Sequence, residues 1–398
     1  MLSTQEEARY GYIAAVNSTT LENGYVMDVG GGSLQLVRVK RRRMREWGSW
    51  PVGAVRMTER FLPGGEPVSE VQLARLRAFV AAQLGTVPWI AGGRDGRRVV
   101  GIGGALRNLA DAAQRAAGVP SLGVQGAVID RGALEELIGR LAELPVNRRA
   151  LPGIKQARGD VILAAAVAVA AVMDVAGFEG TEVTESGLRE GVFFERHLAP
   201  ADPPLIDDVR RSSVLNLAAR YRMDIAHTRH VAQLALSMFD QLAALGLHRG
   251  DPRERELLWA ACMLHDIGMS IDYDDHHKHS RYLILSARLP GFSPSEVAII
   301  AQVTRYHRKD MPTPGPLRPL FHKGDRQRLD RCAALLRLAE DLERSRDQTV
   351  SEAALTAKNG GVELKLVGTN LTPVPLWAAS RERQLFERAF RRELAVKS

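Results

Sequence analysis

Met27-Asp28-Val29-Gly30-Gly31-Gly32-Ser33 is the stretch that decides how the first half of this chain is read. Apolar runs flank it. Gly24 to Val29 predicts a buried strand before it, and Leu34 to Val39 predicts another after it. Glycine lets backbone N–H groups crowd against an anion, because no Cβ blocks the approach. Asp28 adds a hard oxygen donor of the kind Mg²⁺ prefers. The stretch therefore reads as a phosphate cradle, with Gly30, Gly31, Gly32 and Ser33 around the anion and Asp28 toward the metal. A plain hairpin would use the same glycines, so the reading needs a second feature.

Val100-Gly101-Ile102-Gly103-Gly104-Ala105 supplies it, again at a strand exit and opening a helix from about Leu106. A helix N-terminus offers free N–H groups and a positive dipole end, which suits a phosphate. Gly101, Gly103 and Gly104 are thus the second half of the grip. The actin-like phosphotransferase fold uses paired glycine turns of this sort.

The resemblance then becomes specific. Ser3-Thr4-Gln5-Glu6-Glu7-Ala8-Arg9 resembles the first motif of the exopolyphosphatase/guanosine pentaphosphate phosphohydrolase (Ppx/GppA) family. Asp28 to Ser33 is similar to its phosphate turn, Val52 to Phe61 to its next segment, Gly101 to Leu109 to its second turn, and Ser186 to Val192 to its closing signature. The resemblance implies hydrolytic removal of a terminal phosphate from polyphosphate or a guanosine polyphosphate, with Mg²⁺ or Mn²⁺. It also implies that Glu7 is the base that activates water, with Arg56 or Arg9 neutralising charge on the substrate. Three departures stand out. The family's preceding lobe, with its Asp-x-Gly-Ser turn, is not expected in this chain. Leu34-Gln35 stands where the family has Thr-Glu, and Ala105 stands where a Thr is usual.

The second half carries a different constellation. His227 lies in a segment with apolar residues at helical spacing, followed by Cys262-Met263-Leu264-His265-Asp266-Ile267-Gly268 and Leu335 to Asp341. Together these resemble the HD domain, a helical metal-dependent phosphohydrolase fold. Imidazoles and carboxylates suit a divalent metal, which lowers the pKa of bound water and polarises a phosphate. The resemblance implies His227, His265 and Asp266 as ligands, with Glu340 where the last Asp is usual. Asp272 to Ser280 and Tyr306-His307-Arg308-Lys309 resemble further segments of exopolyphosphatase helical domains. Within them His279 and His307 are the expected ligands of a second metal, with His277 behind them.

Composition agrees with a two-part soluble protein. The chain has 398 residues, 45% apolar and 25% charged, with a net charge of +8. Positive charge concentrates polyanions near the surface, and the densest run is Arg38-Val39-Lys40-Arg41-Arg42-Arg43-Met44-Arg45. No dedicated nucleic-acid module is evident. Cys262 and Cys332 read as buried thiols, with no disulfide framework. Val161 to Met173, the longest apolar run, is too short to span a bilayer and reads as a buried helix. Cytoplasm is the expected compartment, and the family resemblance implies a homodimer.

The expected fold is an α/β actin-like (ribonuclease H-like) lobe over residues 1–200, an all-α HD-type domain over 207–346 and a small α/β tail over 347–398. In that tail, Gly361 to Val367 predicts a strand and Ser380 to Leu394 a charged helix. Three functions remain open at this point: a terminal-phosphate hydrolase in the first lobe, a nucleotide phosphohydrolase in the HD cluster, and a non-catalytic polyphosphate- or alarmone-binding protein.

Overall fold

The computed structural model describes residues 2–91, 98–120, 122–221, 223–369 and 373–397. They form two compact units, Met1–Arg210 with Pro290–Pro294, and Arg211–Leu289 with Ser295–Ser398.

The first unit opens with helix α1 (Thr4–Ser18), started by a capping box in which Ser3 and Glu6 satisfy each other's backbone N–H groups. Strands β1 (Gly24–Val29), β2 (Leu34–Lys40) and β3 (Arg43–Trp50) come next as an antiparallel meander. The basic run forms the β2–β3 turn, where Arg41 and Arg42 adopt φ of 50° and 60°. Beyond it lie α2 (Ala54–Phe61), α3 (Glu70–Gly85), the short α4 (Pro88–Ala91), β4 (Val99–Ile102) and α5 (Gly104–Ala116). The unit continues with β5 (Ala127–Asp130), α6 (Arg131–Ala142), α7 (Ile162–Ala176), β6 (Gly180–Val183) and α8 (Leu188–His197).

The six strands lie in the order β3-β2-β1-β4-β6-β5. β1, β4 and β6 are mutually parallel, while β5 runs antiparallel at the edge. An antiparallel meander extended by parallel strands is the actin-like, ribonuclease H-like arrangement, here with β5 added. α7 is buried from Ile162 through Met173, so the longest apolar run is a core helix covering one face of the sheet. The opposite face packs Ile13 and Val16 of α1 against Val26, Val37 and Val100. Gly191 of α8 has no room for a Cβ against the Tyr10 carbonyl, which explains the glycine in the closing signature.

The register fixes the site. Asp28 at the end of β1 pairs with Ile102 at the end of β4, so both glycine turns leave parallel strands at the same edge of the sheet. Ligands gather at such carboxyl ends in open α/β sheets.

The second unit is a run of helices: α9 (Val209–Arg220), α10 (Ile225–Ala244), α11 (Pro252–Leu264), α12 (His276–Ser286), α13 (Pro294–Arg305) and α14 (Asp325–Leu342). Its tail is β7 (Val350–Lys358), β8 (Gly361–Gly368), α15 (Pro373–Ser380), α16 (Arg383–Phe390) and β9 (Leu394–Lys397), with strand order β7-β8-β9. The tail packs into the same unit. Gln241 of α10 donates to the Ala353 carbonyl at 2.9 Å and accepts from Leu355 N at 2.7 Å, and Arg337 of α14 pairs with Glu382 at 2.7 Å.

One sequence expectation is corrected there. The helix anticipated from Ser380 to Leu394 stops at Phe390, because Arg391 turns left-handed at φ 56°. Leu394 then joins β8 as a parallel strand. Cys262 and Cys332 are buried free thiols. Among the described residues, no helix is long and apolar enough to cross a membrane.

Candidate functional site

In the α/β unit, the first glycine turn is tied down by the start of α2. Gly30 N donates to the Ser33 carbonyl at 2.9 Å, and the carbonyls of Gly30 and Gly31 accept from Ala54 N and Val55 N, both at 2.9 Å. Gly53 sits directly on the backbone of Gly31, Gly32 and Ser33, where no Cβ fits. A Cβ on Gly32, by contrast, would meet nothing within 4 Å, so the outer side of the turn is open. Arg56 is exposed on the first turn of α2, one residue beyond this anchor.

The second turn faces the first. Gly103 caps α5 at φ 91°, and a Cβ there would lie 2.6 Å from Asp28 Oδ1. Glycine at 103 is therefore required twice, by its left-handed backbone and by the carboxylate beside it. A Cβ on Gly104 would lie 2.5 Å from Arg158 Nη2, so this glycine admits a guanidinium to the start of α5. Asn108 holds that loop in place, accepting from Lys155 N at 2.7 Å and donating to the Gly104 carbonyl at 2.7 Å. Gly101 packs behind, against Leu106 and Thr181. A cation beside the positive end of a helix is an arrangement that an anion stabilises.

Glu7, on α1, reaches the same cluster. Gln35 Nε2 donates to Glu7 Oε2 at 2.8 Å. Burial, reinforced by the charge of Glu7 and opposed by Arg107, raises the Asp28 carboxyl to about 6. Arg107 itself donates to the carbonyls of Gly103 and Glu185, at 3.3 and 3.1 Å. The structure thus brings together Glu7, Asp28 and the two glycine turns. Arg9 is engaged elsewhere, 2.6 Å from Glu195. Two neighbouring, half-buried carboxylates are hard donors whose mutual repulsion a divalent cation relieves; the residues fit Mg²⁺ or Mn²⁺.

Sequence reasoning passed over Arg107, Asn108 and Arg158, and took Gln35 only as a departure from the family pattern. Gln35 reads as the loss of an acidic residue, yet its amide bonds the very carboxylate assigned as base. Arg107 had one available signal, its position one helical turn after Gly103.

The helical unit holds the second cluster. Asp224 caps α10 by accepting from His227 N at 3.1 Å, setting the ring of His227 at the helix start. α11 begins at Pro252 and ends at Leu264 with His265 as its C-cap, delivering His265 and Asp266 to a tight turn. Gly268 is the hinge of that turn. A Cβ there would strike the His276 carbonyl and lie 2.5 Å from Ser280 N. Ser280 staples the contact, accepting from Gly268 N at 2.8 Å and donating to the His265 carbonyl at 2.6 Å.

Four side chains converge. Glu340 Oε2, from α14, lies 3.1 Å from both His227 Nε2 and His265 Nε2. Asp266 lies 3.8 Å from His227 and 3.5 Å from His265. Ligand atoms of all four fall within 4.8 Å of one another. His265 Nδ1 donates to the Cys262 carbonyl at 2.7 Å, which turns Nε2 toward the cluster. Burial opposes charge on His265, but Asp266 and Glu340 outweigh it and raise the imidazole to about 9.

A second set shares Asp266: His276 and His307 also converge on it. His279, expected there from the sequence, is not among the converging side chains of the described residues; His276 is. Asp275 adopts φ 56° and starts α12 at His276, whose ring points at Asp266, while His279 lies a turn further on beside Gly268. His277 is buried beside them, with Asp275 at 3.8 Å. A cavity of about 380 Å³ flanks Asp266, lined in part by Arg220, Tyr221, Ser270 and Arg346. Arg346 donates to Asp266 Oδ2 at 2.8 Å.

The chain thus joins an actin-like lobe with two opposed glycine turns and a half-buried carboxylate to a helical unit with a His/carboxylate cluster. The model of the Ppx/GppA phosphatase family matches residues 1–199, and that of Ppx/GppA phosphatase domain III matches residues 209–380. The chain belongs to the Ppx/GppA phosphatase family. Among solved structures, the Aquifex aeolicus family member is 28% identical over 50% of this chain and 63% of its own, with a TM-score of 0.45. An exopolyphosphatase from Cytophaga hutchinsonii is 19% identical over 48% of this chain and 63% of its own, with a TM-score of 0.44. This chain therefore spans just under two thirds of the length of these relatives.

Proposed function

We propose that the chain is a phosphohydrolase that releases terminal phosphate from inorganic polyphosphate or a guanosine polyphosphate, dependent on Mg²⁺ or Mn²⁺, with the chemistry in the α/β unit. The observation that carries this reading is the meeting of Glu7 and Asp28 with both glycine turns at one sheet edge. Asp28, with Glu7 beside it, would hold the cation, which supplies charge neutralisation at the phosphoryl group. Gly30 to Ser33 and the N-terminus of α5 offer backbone N–H groups to the phosphate oxygens. Arg158 and Arg56 lie on either side to meet the charge of the rest of the chain. Gln35 orients Glu7, which takes the proton of the attacking water.

Phosphate release from long-chain polyphosphate with Mg²⁺ tests this. Glu7→Gln keeps the shape and removes the base, so turnover falls by about 10²- to 10⁴-fold, the range of a lost general base, while polymer binding persists. Retained turnover in Glu7→Gln refutes the role of Glu7. Binding without turnover in the wild-type protein instead identifies a polyphosphate- or alarmone-binding protein.

A second reading has its own observation. The convergence of His227, His265, Asp266 and Glu340 beside an arginine-lined cavity supports an HD-type, metal-dependent phosphohydrolase centre for a nucleotide phosphate in the helical unit. The donor set of two imidazoles and two carboxylates fits a divalent transition ion.

A further inference from the structure

We propose that the β2–β3 hairpin is a second polyanion site, which holds the distal part of a long inorganic polyphosphate chain whose end lies at the glycine turns. The proposal rests on the phosphohydrolase reading above and narrows its substrate to a polymer.

The basic run folds into a turn that ill suits its residues. Lys40 pairs with Arg43 across the hairpin, which leaves Arg41 and Arg42 as the two central residues, at φ 50° and 60°. Asn-Gly is the usual pair for that left-handed geometry, and other side chains adopt it at a cost. The fold holds the turn from several directions. Arg41 N donates to Asn23 Oδ1 at 2.9 Å, and Arg42 N donates to the Glu22 carbonyl at 2.8 Å. Tyr12 donates to the Arg42 carbonyl at 2.7 Å, and the Arg42 guanidinium donates to the carbonyls of Ile206 and Asp207.

With Arg42 spent on that anchoring, the other cations face outward. Arg41, Arg43 and Arg45 are exposed, and their guanidinium groups have no partner among the described residues. Glu46, the one carboxylate of β3, is paired with Arg38 at 3.2 Å and so leaves this excess of charge intact. An excess of this kind draws a polyanion.

Its placement suits a chain that reaches beyond the glycine turns. β2 begins at Leu34, beside the first of them, and ends at Lys40, beside the hairpin. At about 3.4 Å per residue the two ends are roughly 20 Å apart. β3 returns along the outer edge of the sheet to Trp50, which pairs with Leu34. Arg56, exposed on α2, stands near that end. Cations at both ends of one outer strand fit a polymer charged on every repeat. A guanosine polyphosphate or tripolyphosphate held at the glycine turns is too short to reach Arg41. Single-stranded nucleic acid sites interleave aromatic platforms with their cations; Lys40 to Arg45 contains none, with Trp47 alone beyond it, so inorganic polyphosphate is the better fit.

Long-chain polyphosphate and tripolyphosphate are the probes, in phosphate-release assays and calorimetric titrations of the full chain. The variant is Arg41→Asn/Arg43→Gln/Arg45→Gln, because asparagine suits the left-handed position and preserves the turn. KM for the long chain is expected to rise by about 10-fold relative to KM for tripolyphosphate, the worth of three exposed ion pairs. The slope of log affinity against log salt falls by about 2, from three contacts at about 0.7 each. Arg41→Lys/Arg43→Lys/Arg45→Lys keeps the charge and the preference for the polymer. An equal change for both probes, or none, overturns the hairpin site and leaves the phosphohydrolase reading standing. So does a lysine variant that loses the preference as fully as the neutral one. Single-stranded RNA of equal phosphate number that displaces the polymer as well as polyphosphate itself does overturns the choice of occupant. Polymer binding lost in the neutral variant, with no phosphate released by the parent, supports the hairpin site and overturns the phosphohydrolase reading instead.

Discussion

Gly268→Ala is the substitution whose sign the structure decides most sharply. Gly268 does not occupy left-handed backbone, so alanine there would ordinarily stabilise by about 0.4–1 kcal/mol through the unfolded chain. The space says otherwise. The new Cβ would strike the His276 carbonyl, lie 2.5 Å from Ser280 N and 2.8 Å from His279 Cβ, and two of those three atoms belong to backbone that cannot rotate away. Moving α12 to relieve the clash breaks two buried hydrogen bonds, Gly268 N to Ser280 Oγ and Ser280 Oγ to the His265 carbonyl. Overpacking costs about 1–3 kcal/mol and each lost bond about 1 kcal/mol, a total of about 3–5 kcal/mol. Urea denaturation gives the magnitude, and hydrogen exchange over Met263–Ser286 shows where it falls. The same displacement carries His276 away from Asp266, so Mn²⁺ binding by the helical unit weakens with it. A variant as stable as the parent, or more stable, would refute the packing argument.

Other substitutions separate stability from function. The Cβ of Gly32→Val meets open space, so stability changes by less than about 0.5 kcal/mol, while the proposed phosphate role of this turn predicts that phosphate release falls; equal losses in both would place Gly32 in the packing instead. Gln35→Ala removes the hydrogen bond to Glu7 and lowers turnover by about 10-fold, the worth of roughly 1.4 kcal/mol, with a smaller effect on KM. Glu254→Ala strands Arg331, which it holds through two short hydrogen bonds in a buried setting, and destabilises the helical unit by about 3–5 kcal/mol in thermal unfolding. His248 lies against the rings of Phe239 and Phe390, and burial lowers its pKa in the folded state. The unfolded chain therefore takes up this proton first, so stability is full above the ordinary histidine pKa of about 6.5 and declines as pH falls below it. His248→Gln flattens that decline in urea titrations from pH 7 to 5.

Sequence was most informative where one residue type has one physical use. The strands either side of Gly30-Gly31-Gly32 fall at Gly24–Val29 as expected and at Leu34–Lys40, one residue beyond the expected Val39, because short, mostly apolar runs on either side of a glycine turn admit few other structures. The Ala-rich run became α7 for the same reason. What the sequence concealed depended on contacts between distant segments. Which histidine of His276-His277-Lys278-His279 faces Asp266 depends on the left-handed Asp275 and on how closely Gly268 lets α12 approach, and neither is visible in a pattern of histidines. Glu340, expected where the last Asp is usual, reaches the cluster only through the packing of α14, which sets its Oε2 3.1 Å from both His227 Nε2 and His265 Nε2. Arg158 lies far from Gly104 in sequence and meets it through the Asn108 clamp. The end of α16 rests on one left-handed arginine and a strand partner, not on a glycine or proline.

The most direct test of the central claim measures phosphate release from long-chain polyphosphate, with Mg²⁺ or Mn²⁺, for the parent, Glu7→Gln and His265→Ala/Asp266→Ala side by side. The proposal that the Glu7–Asp28 cluster carries the hydrolysis predicts that release is lost in Glu7→Gln and retained in the double variant. Release that survives Glu7→Gln and disappears in His265→Ala/Asp266→Ala would contradict this and move the chemistry to the helical unit.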